Sequence, residues 1–194
     1  MKKLIIILLS SALAGGASAQ KIKLTSGSLA FLASVQSVNV SFDYSNMKVG
    51  KMSESEYVKT KSEEYNKKES GRGDQWKQSW TSDREERFEP KFLELLAKNA
   101  PKWSFSKGSE GPVEMKVHTT FTEPGFNVVV AKQYAMVDLT ITFIQNGSEA
   151  AVVTVGKAPG RTYGYGDLDT GVRITEAYAA AGKYLGKFLV KSVK

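Results

Sequence analysis

Residues 164–178, GYGDLDTGVRITEAY, hold two carboxylates whose spacing suits several chemistries. Asp167-Leu168-Asp169 has the form that grips a metal or accepts a phosphoryl group, and Asp169-Thr170-Gly171 spells the tripeptide that carries the catalytic carboxylate of aspartic proteases. The neighbouring residues argue against each reading. A phosphotransferase aspartate ends a buried apolar strand, whereas Arg161-Thr162-Tyr163-Gly164-Tyr165-Gly166 is polar and glycine-rich, and no lysine and acidic pair follows at suitable spacing. The protease reading needs an apolar strand before the Asp and a second copy or a symmetric dimer, and the chain has one Asp-Thr-Gly. A calcium loop opening at Asp167 needs an oxygen ligand at 171 and a glutamate at 178, where Gly171 and Tyr178 stand. What remains is structural. Asp169 or Thr170 accepts the orphan N–H groups at the start of a final helix, whose positive end also favours Asp167 and Asp169. No metal ligand, catalytic residue or cofactor is assigned.

Other candidates resolve in the same direction. Arg72-Gly73-Asp74 is the cell-adhesion tripeptide, but here it reads as a glycine linker between helices followed by a capping aspartate. His118 is the single histidine in a chain without cysteine, too few ligands for a usual zinc site, and the polar face of a strand accounts for it. Trp76 and Trp80 could form a sugar-stacking platform, yet their helical stripe continues through Phe88 and Phe92, which indicates core packing. The surface candidates are Arg161, Tyr163 and Tyr165, displayed in a glycine-punctuated loop of the kind that carries recognition residues.

The chain that positions these residues opens with an export signature. Lys2 and Lys3 precede an apolar run from Leu4 to Leu13, and Ala17-Ser18-Ala19 forms a small-x-small cleavage site before Gln20. The run is too short for a stable membrane anchor. Residues 1–19 are therefore expected to be a signal peptide, and residues 20–194 a single α+β domain that is periplasmic or secreted. With no cysteine, lipid anchoring, disulfides and thiolate chemistry are excluded together. The net charge of +7 is spread along the chain: residues 48 to 107 interleave fourteen Lys/Arg with eleven Asp/Glu, and 172 to 194 hold five basic residues against Glu176 alone, without the clustered Arg/Lys face that nucleic acid requires. After cleavage no apolar run reaches membrane-spanning length.

Periodicity sets the expected elements. Ser37 to Tyr44 alternates as a strand, and Leu29 to Leu32 is expected as a short edge strand. Ser53-Glu54-Ser55-Glu56 is a capping box opening a charged helix to about Glu69. A second helix is expected over 74–99, kinked or restarted at Pro90 and ended by Pro101. Val113 to Phe121 and Ala135 to Phe143 alternate as strands, Asn146-Gly147 is a hairpin turn, and Ala150 to Val155 is a further strand. In the last helix Ile174, Tyr178, Ala181, Leu185 and Leu189 share a face flanked by Gly182 and Gly186, which predicts close approach to a sheet. The predicted fold is an antiparallel sheet of about four strands with helices packed on one face, in the order β-α-α-β-β-β-α.

Four stretches carry a resemblance: Ser26 to Leu32, Phe42 to Ser45, Gly71 to Trp76, and Arg87 to Phe92. They resemble a family of uncharacterised exported proteins from Bacteroides-type bacteria. The second half is loosely similar to envelope lipoproteins of unknown function, though it lacks their lipidated cysteine. The resemblance implies an exported α+β domain and no activity. The expected function is a non-enzymatic envelope or secreted module that binds a protein or glycan partner through the 161–169 loop. The alternative is a carboxylate-dependent hydrolase acting on an extracellular polymer, which would show two facing carboxylates in a concave pocket.

Overall fold

The computed structural model describes residues 20–128, 131–161 and 169–193, so the expected signal segment lies outside the described residues. Among them are ten strands: β1 Lys21–Gly27, β2 Ser37–Asp43, β3 Lys48–Val49, β4 Met52–Ser53, β5 Ser104–Lys107, β6 Val113–Glu123, β7 Phe126–Val128, β8 Ala131–Gln133, β9 Ala135–Gln145 and β10 Ser148–Gly160. Four α-helices accompany them: α1 Glu54–Lys68, α2 Arg72–Asp83, α3 Glu89–Asn99 and α4 Thr170–Ser192. The chain is α+β.

The expected four-strand antiparallel sheet with helices on one face, in the order β-α-α-β-β-β-α, is not what forms. Eight strands make one mixed sheet along the path β1-β10-β9-β6-β2-β5, with β3 beside β6 and β4 beside β3, while β7 and β8 form a separate pair. β2 pairs parallel with both β5 and β6, and β3 pairs parallel with β6. Parallel neighbours need a long crossover, and α1, α2 and α3 lie between β2 and β5 in the chain. β1 is the other addition: Ile22 and Leu24 alternate inward and pair with β10. At Leu29 to Leu32 the chain forms a 3-10 turn over Ala30–Ser34 instead of an edge strand.

Local signals explain most of the elements. Ser53 caps α1 with both halves of the capping box formed, its side chain accepting from the Glu56 N–H. The helical run from Arg72 to Asn99 is continuous, because a π turn at Arg84–Phe88 leads into α3. There the Glu89 N–H donates to the Arg84 carbonyl, just before Pro90, which has no N–H of its own to give. The wider turn absorbs the proline. Asn146 and Gly147 both take positive φ at the β9–β10 hairpin. In β6 a bulge between Thr119 and Phe121 shifts the register, so Thr122 is buried where strict alternation would have put Phe121.

The core lies between the sheet and the helices. Val117, Leu139, Ile141 and Phe143 from the sheet meet Phe92 and Leu96 of α3 and Leu185 of α4 in one cluster. Tyr178 of α4 is fully buried. Its ring stacks on Phe88 at 5.2 Å and its hydroxyl pairs with Thr119 Oγ1 of β6 at 2.6 Å. Desolvation raises the pKa of its phenol, which keeps the group neutral.

Gly182 does allow a close approach, but to α3 and not to the sheet. A Cβ there would stand 2.2 Å from the carbonyl oxygen of Phe92, and one on Gly186 would stand 2.8 Å from that of Leu96. Backbone, not a flexible side chain, occupies the space. Gly182→Ala must therefore push α3 and α4 apart, at a cost of about 1–3 kcal/mol. Alanine's better helix propensity offsets about 1 kcal/mol of that. Urea melts should show the variant less stable than the parent, and equal midpoints would mean that α3 yields without cost.

Candidate functional site

The cleft with the most chemistry is about 280 Å³ and lies between α2 and the start of α4. One wall is aromatic. Trp76 and Trp80 sit at i and i+4 on α2 with ring centroids 5.5 Å apart, Tyr65 of α1 lies 5.8 Å from Trp76, and Tyr57 lies 5.2 Å from Trp80. Trp80 is buried and its Nε1 donates to Glu54 Oε1 at 2.7 Å, while Arg84 pairs with the same carboxylate. Trp76 is half-buried and turned to the cleft.

The opposite side is charged. Asp169 is the N-cap of α4, and its Oδ1 accepts from the N–H groups of Gly171 at 2.7 Å and Val172 at 3.3 Å. Its Oδ2 meets Arg87 Nη1 at 3.3 Å, and Arg87 Nε reaches Asp83 Oδ1 at 3.0 Å. One guanidinium thus bridges two carboxylates from different elements. Gly171 makes room for this, since a Cβ there would stand 2.1 Å from Asp83 Oδ2. Asp83 is buried at the end of α2. Desolvation raises its pKa, Arg87 opposes the rise, and the nearby charge of Asp169 adds to it.

The sequence-predicted site residues do not come together. Asp169 and Thr170 line the cleft, where Thr170 Oγ1 accepts from Arg173 Nη2 at 2.9 Å. Arg161 is exposed and lines a different groove of about 850 Å³ between β1, α3 and α4. Tyr163, Tyr165 and Asp167 lie outside the described residues. The 161–169 segment therefore begins at one concavity and ends at the other. Arg72-Gly73-Asp74 is the first turn of α2, with Gly73 buried against the backbone of α1. His118 Nε2 contacts the Ser45 carbonyl at 2.8 Å. No group of three or more metal-ligating side chains is found among the described residues.

Sequence reasoning missed Asp83, Arg87 and Arg173. Asp83 and Arg87 stand at i and i+4 on a helical stretch, a legible pair, but nothing in the sequence sets Asp169 beside them. Arg173 falls in the first turn of α4. It is buried, and its Nε and Nη2 donate to the carbonyls of Pro124 at 3.1 Å and Gly125 at 3.2 Å, tying the Glu-Pro-Gly turn to the helix.

No family model and no curated protein matches the chain. Among solved structures it is similar to a PelC variant, crystallised as a dodecamer, from Paraburkholderia phytofirmans. The identity is 10% and the TM-score 0.41, over 91% of this chain and 99% of that one. A likeness of that extent carries no inference about fold, activity or assembly. No helix among the described residues is long and apolar enough to cross a membrane.

Two outcomes test the charged side of the cleft. Asp169→Ala removes the cap and one partner of Arg87, and should lower stability by about 0.5–2 kcal/mol, with Asp169→Ser and Asp169→Asn costing much less because both still cap. Equal urea midpoints for Asp169→Ala and the parent would remove the cap from the energetics. Asp83 predicts a pH dependence. Its folded carboxyl holds a proton more tightly than the unfolded one, so its stabilising contribution is complete below its ordinary value of 3.8 and is lost as pH rises through the raised folded value. The stability of the parent relative to Asp83→Asn should therefore fall as pH rises from below 3.8 towards neutrality. A difference that rises over that range would show the Arg87 pairing to outweigh burial.

Proposed function

We propose that this protein is an exported, non-enzymatic envelope or secreted module that binds a glycan at the cleft between α2 and α4. The aromatic wall is the observation that carries this reading. Ring faces such as that of Trp76 present flat apolar area to the C–H face of a sugar, while the ion-paired Asp83, Arg87 and Asp169 line the same cleft as its polar side. A concave site with an apolar wall and a few convergent polar groups is the usual form of a small-ligand pocket. The export half of the reading rests on Lys2-Lys3, the Leu4 to Leu13 run and Ala17-Ser18-Ala19.

The hydrolase alternative has one observation in its favour, a buried carboxyl with a raised pKa in a cleft. Glycoside hydrolysis needs a second carboxylate free to act as base or nucleophile. Asp169, the other one in the cleft, caps α4 with one oxygen and holds Arg87 with the other. Binding is the better fit.

Tryptophan fluorescence reports directly on this wall. Titration with soluble oligosaccharides from bacterial envelopes should shift the emission, and Trp76→Ala, confirmed folded by circular dichroism, should weaken binding by about tenfold. A panel that leaves the emission unchanged, or a Trp76→Ala protein that binds as the parent does, refutes the glycan reading. Release of new reducing ends by the parent but not by Asp83→Asn would put the hydrolase in its place.

A further inference from the structure

The groove that holds Arg161 also holds a side chain with no evident reason to be there. Gln20, the residue directly before β1, lies in it beside Ile22 and Phe188. Both polar atoms of its side chain, Nε2 and Oε1, are buried and have no hydrogen-bond partner among the described residues. An amide buried in this way loses its water without regaining a partner, which is a net cost to the fold. One other side-chain atom in the described residues, Ser62 Oγ, shares that condition, and it belongs to a small hydroxyl on α1. The unpartnered amide is therefore concentrated at the residue that the cleavage signature would make the first of the mature chain.

We propose that Gln20 is a modification site: once residues 1–19 are removed, it closes to pyroglutamate, and the lactam seats in this groove. The inference rests on the export reading above, because only cleavage after Ala19 frees the α-amino group of Gln20. The step is internally balanced. The α-nitrogen attacks the side-chain carbonyl carbon Cδ and forms a C–N bond. The Cδ–Nε2 bond breaks, and Nε2 departs as ammonia with the proton given up by the α-amine. No oxidant, reductant or co-reactant is required.

The product suits the site better than the reactant does. Cyclisation replaces the two-donor amide nitrogen that the groove leaves unpartnered with a single lactam N–H, while the carbonyl oxygen is retained. It also removes the positive α-ammonium from a groove that already contains Lys91, Arg161 and Lys183, balanced by Glu94 and Glu176 alone. A compact neutral ring remains, against Ile22, Pro159 and Phe188. β1 follows at once, with Lys21 paired to Gly156, so the ring is held at a fixed point of the sheet and not on a free tail.

The test is intact mass and N-terminal sequencing of the full chain expressed with its export segment and recovered from outside the cytoplasm. The expected protein begins at residue 20, is lighter than the unmodified chain by about 17 Da, the mass of ammonia, and is blocked to Edman degradation. Pyroglutamyl aminopeptidase should leave the folded protein blocked but should unblock the N-terminal peptide after digestion. A chain that begins at Gln20 with its amide intact overturns the cyclisation and leaves the export reading standing. A chain that retains residues 1–19, or begins elsewhere, overturns both. Ready unblocking of the native protein would overturn the seating of the ring in the groove.

Discussion

Tyr178 is the joint on which the other packing relations depend. Its ring lies on Phe88 at an interplanar angle of 6°, and its hydroxyl ends on Thr119 of β6, so one side chain fixes α4 to both the helical run behind it and the sheet in front. A phenol can do this because one end is apolar and the other carries a hydrogen bond, and it stays un-ionised when buried. With that point fixed, the approach of α4 to α3 is set by what lies one turn further on, where Gly182 faces the Phe92 carbonyl. A bulkier residue at that point would work against the stacking at the other. The small residues and the large one in α4 are a single arrangement.

The same geometry delivers the cleft. With α4 placed by Tyr178, its first turn comes to rest beside the end of α2, and Asp169 reaches Arg87. Arg87 is then shared by a carboxylate it could pair with on its own helix and one that only tertiary packing can supply. Arg173, one turn into α4, holds the loop after β6 by its carbonyls. The helix start is thereby fastened on two sides, by charge toward α2 and by hydrogen bonds toward the sheet. The described side chains of the cleft are thus positioned by helix packing.

How much of this could be read in advance follows from which forces act locally. The capping box at Ser53, the hairpin at Asn146-Gly147 and the alternation of β9 are written in neighbouring residues, and the chain forms each of them. The sheet is different. β5 is four residues long and β3 two, too short for a periodic signal, and their parallel pairing is decided by the helices that return the chain to one edge. β1 carried a legible alternation at Ile22 and Leu24 but stands immediately after the expected cleavage point. In the cleft, the aromatic pair and the Asp83–Arg87 pair were visible as i, i+4 spacings, whereas the meeting of Asp169 with them is a long-range event. The tyrosines expected to form the contact surface fall outside the described residues, and Arg161 turns to another groove.

The outermost pairing has a consequence for when this molecule can become itself. β1 is the first described strand, yet the strand it pairs with among the described residues is β10, and the bond from Thr25 to the Val152 carbonyl spans 127 residues. A ribosome must therefore release most of the chain before the beginning has anything to bind. Folds dominated by such distant pairings close slowly, because the entropy of bringing far segments together has to be spent before any contact is gained. Were the chain exported in extended form, as proposed above, slowness of this kind would be an asset: the leading end would stay loose until the trailing end had crossed, and the sheet would be sealed only on arrival.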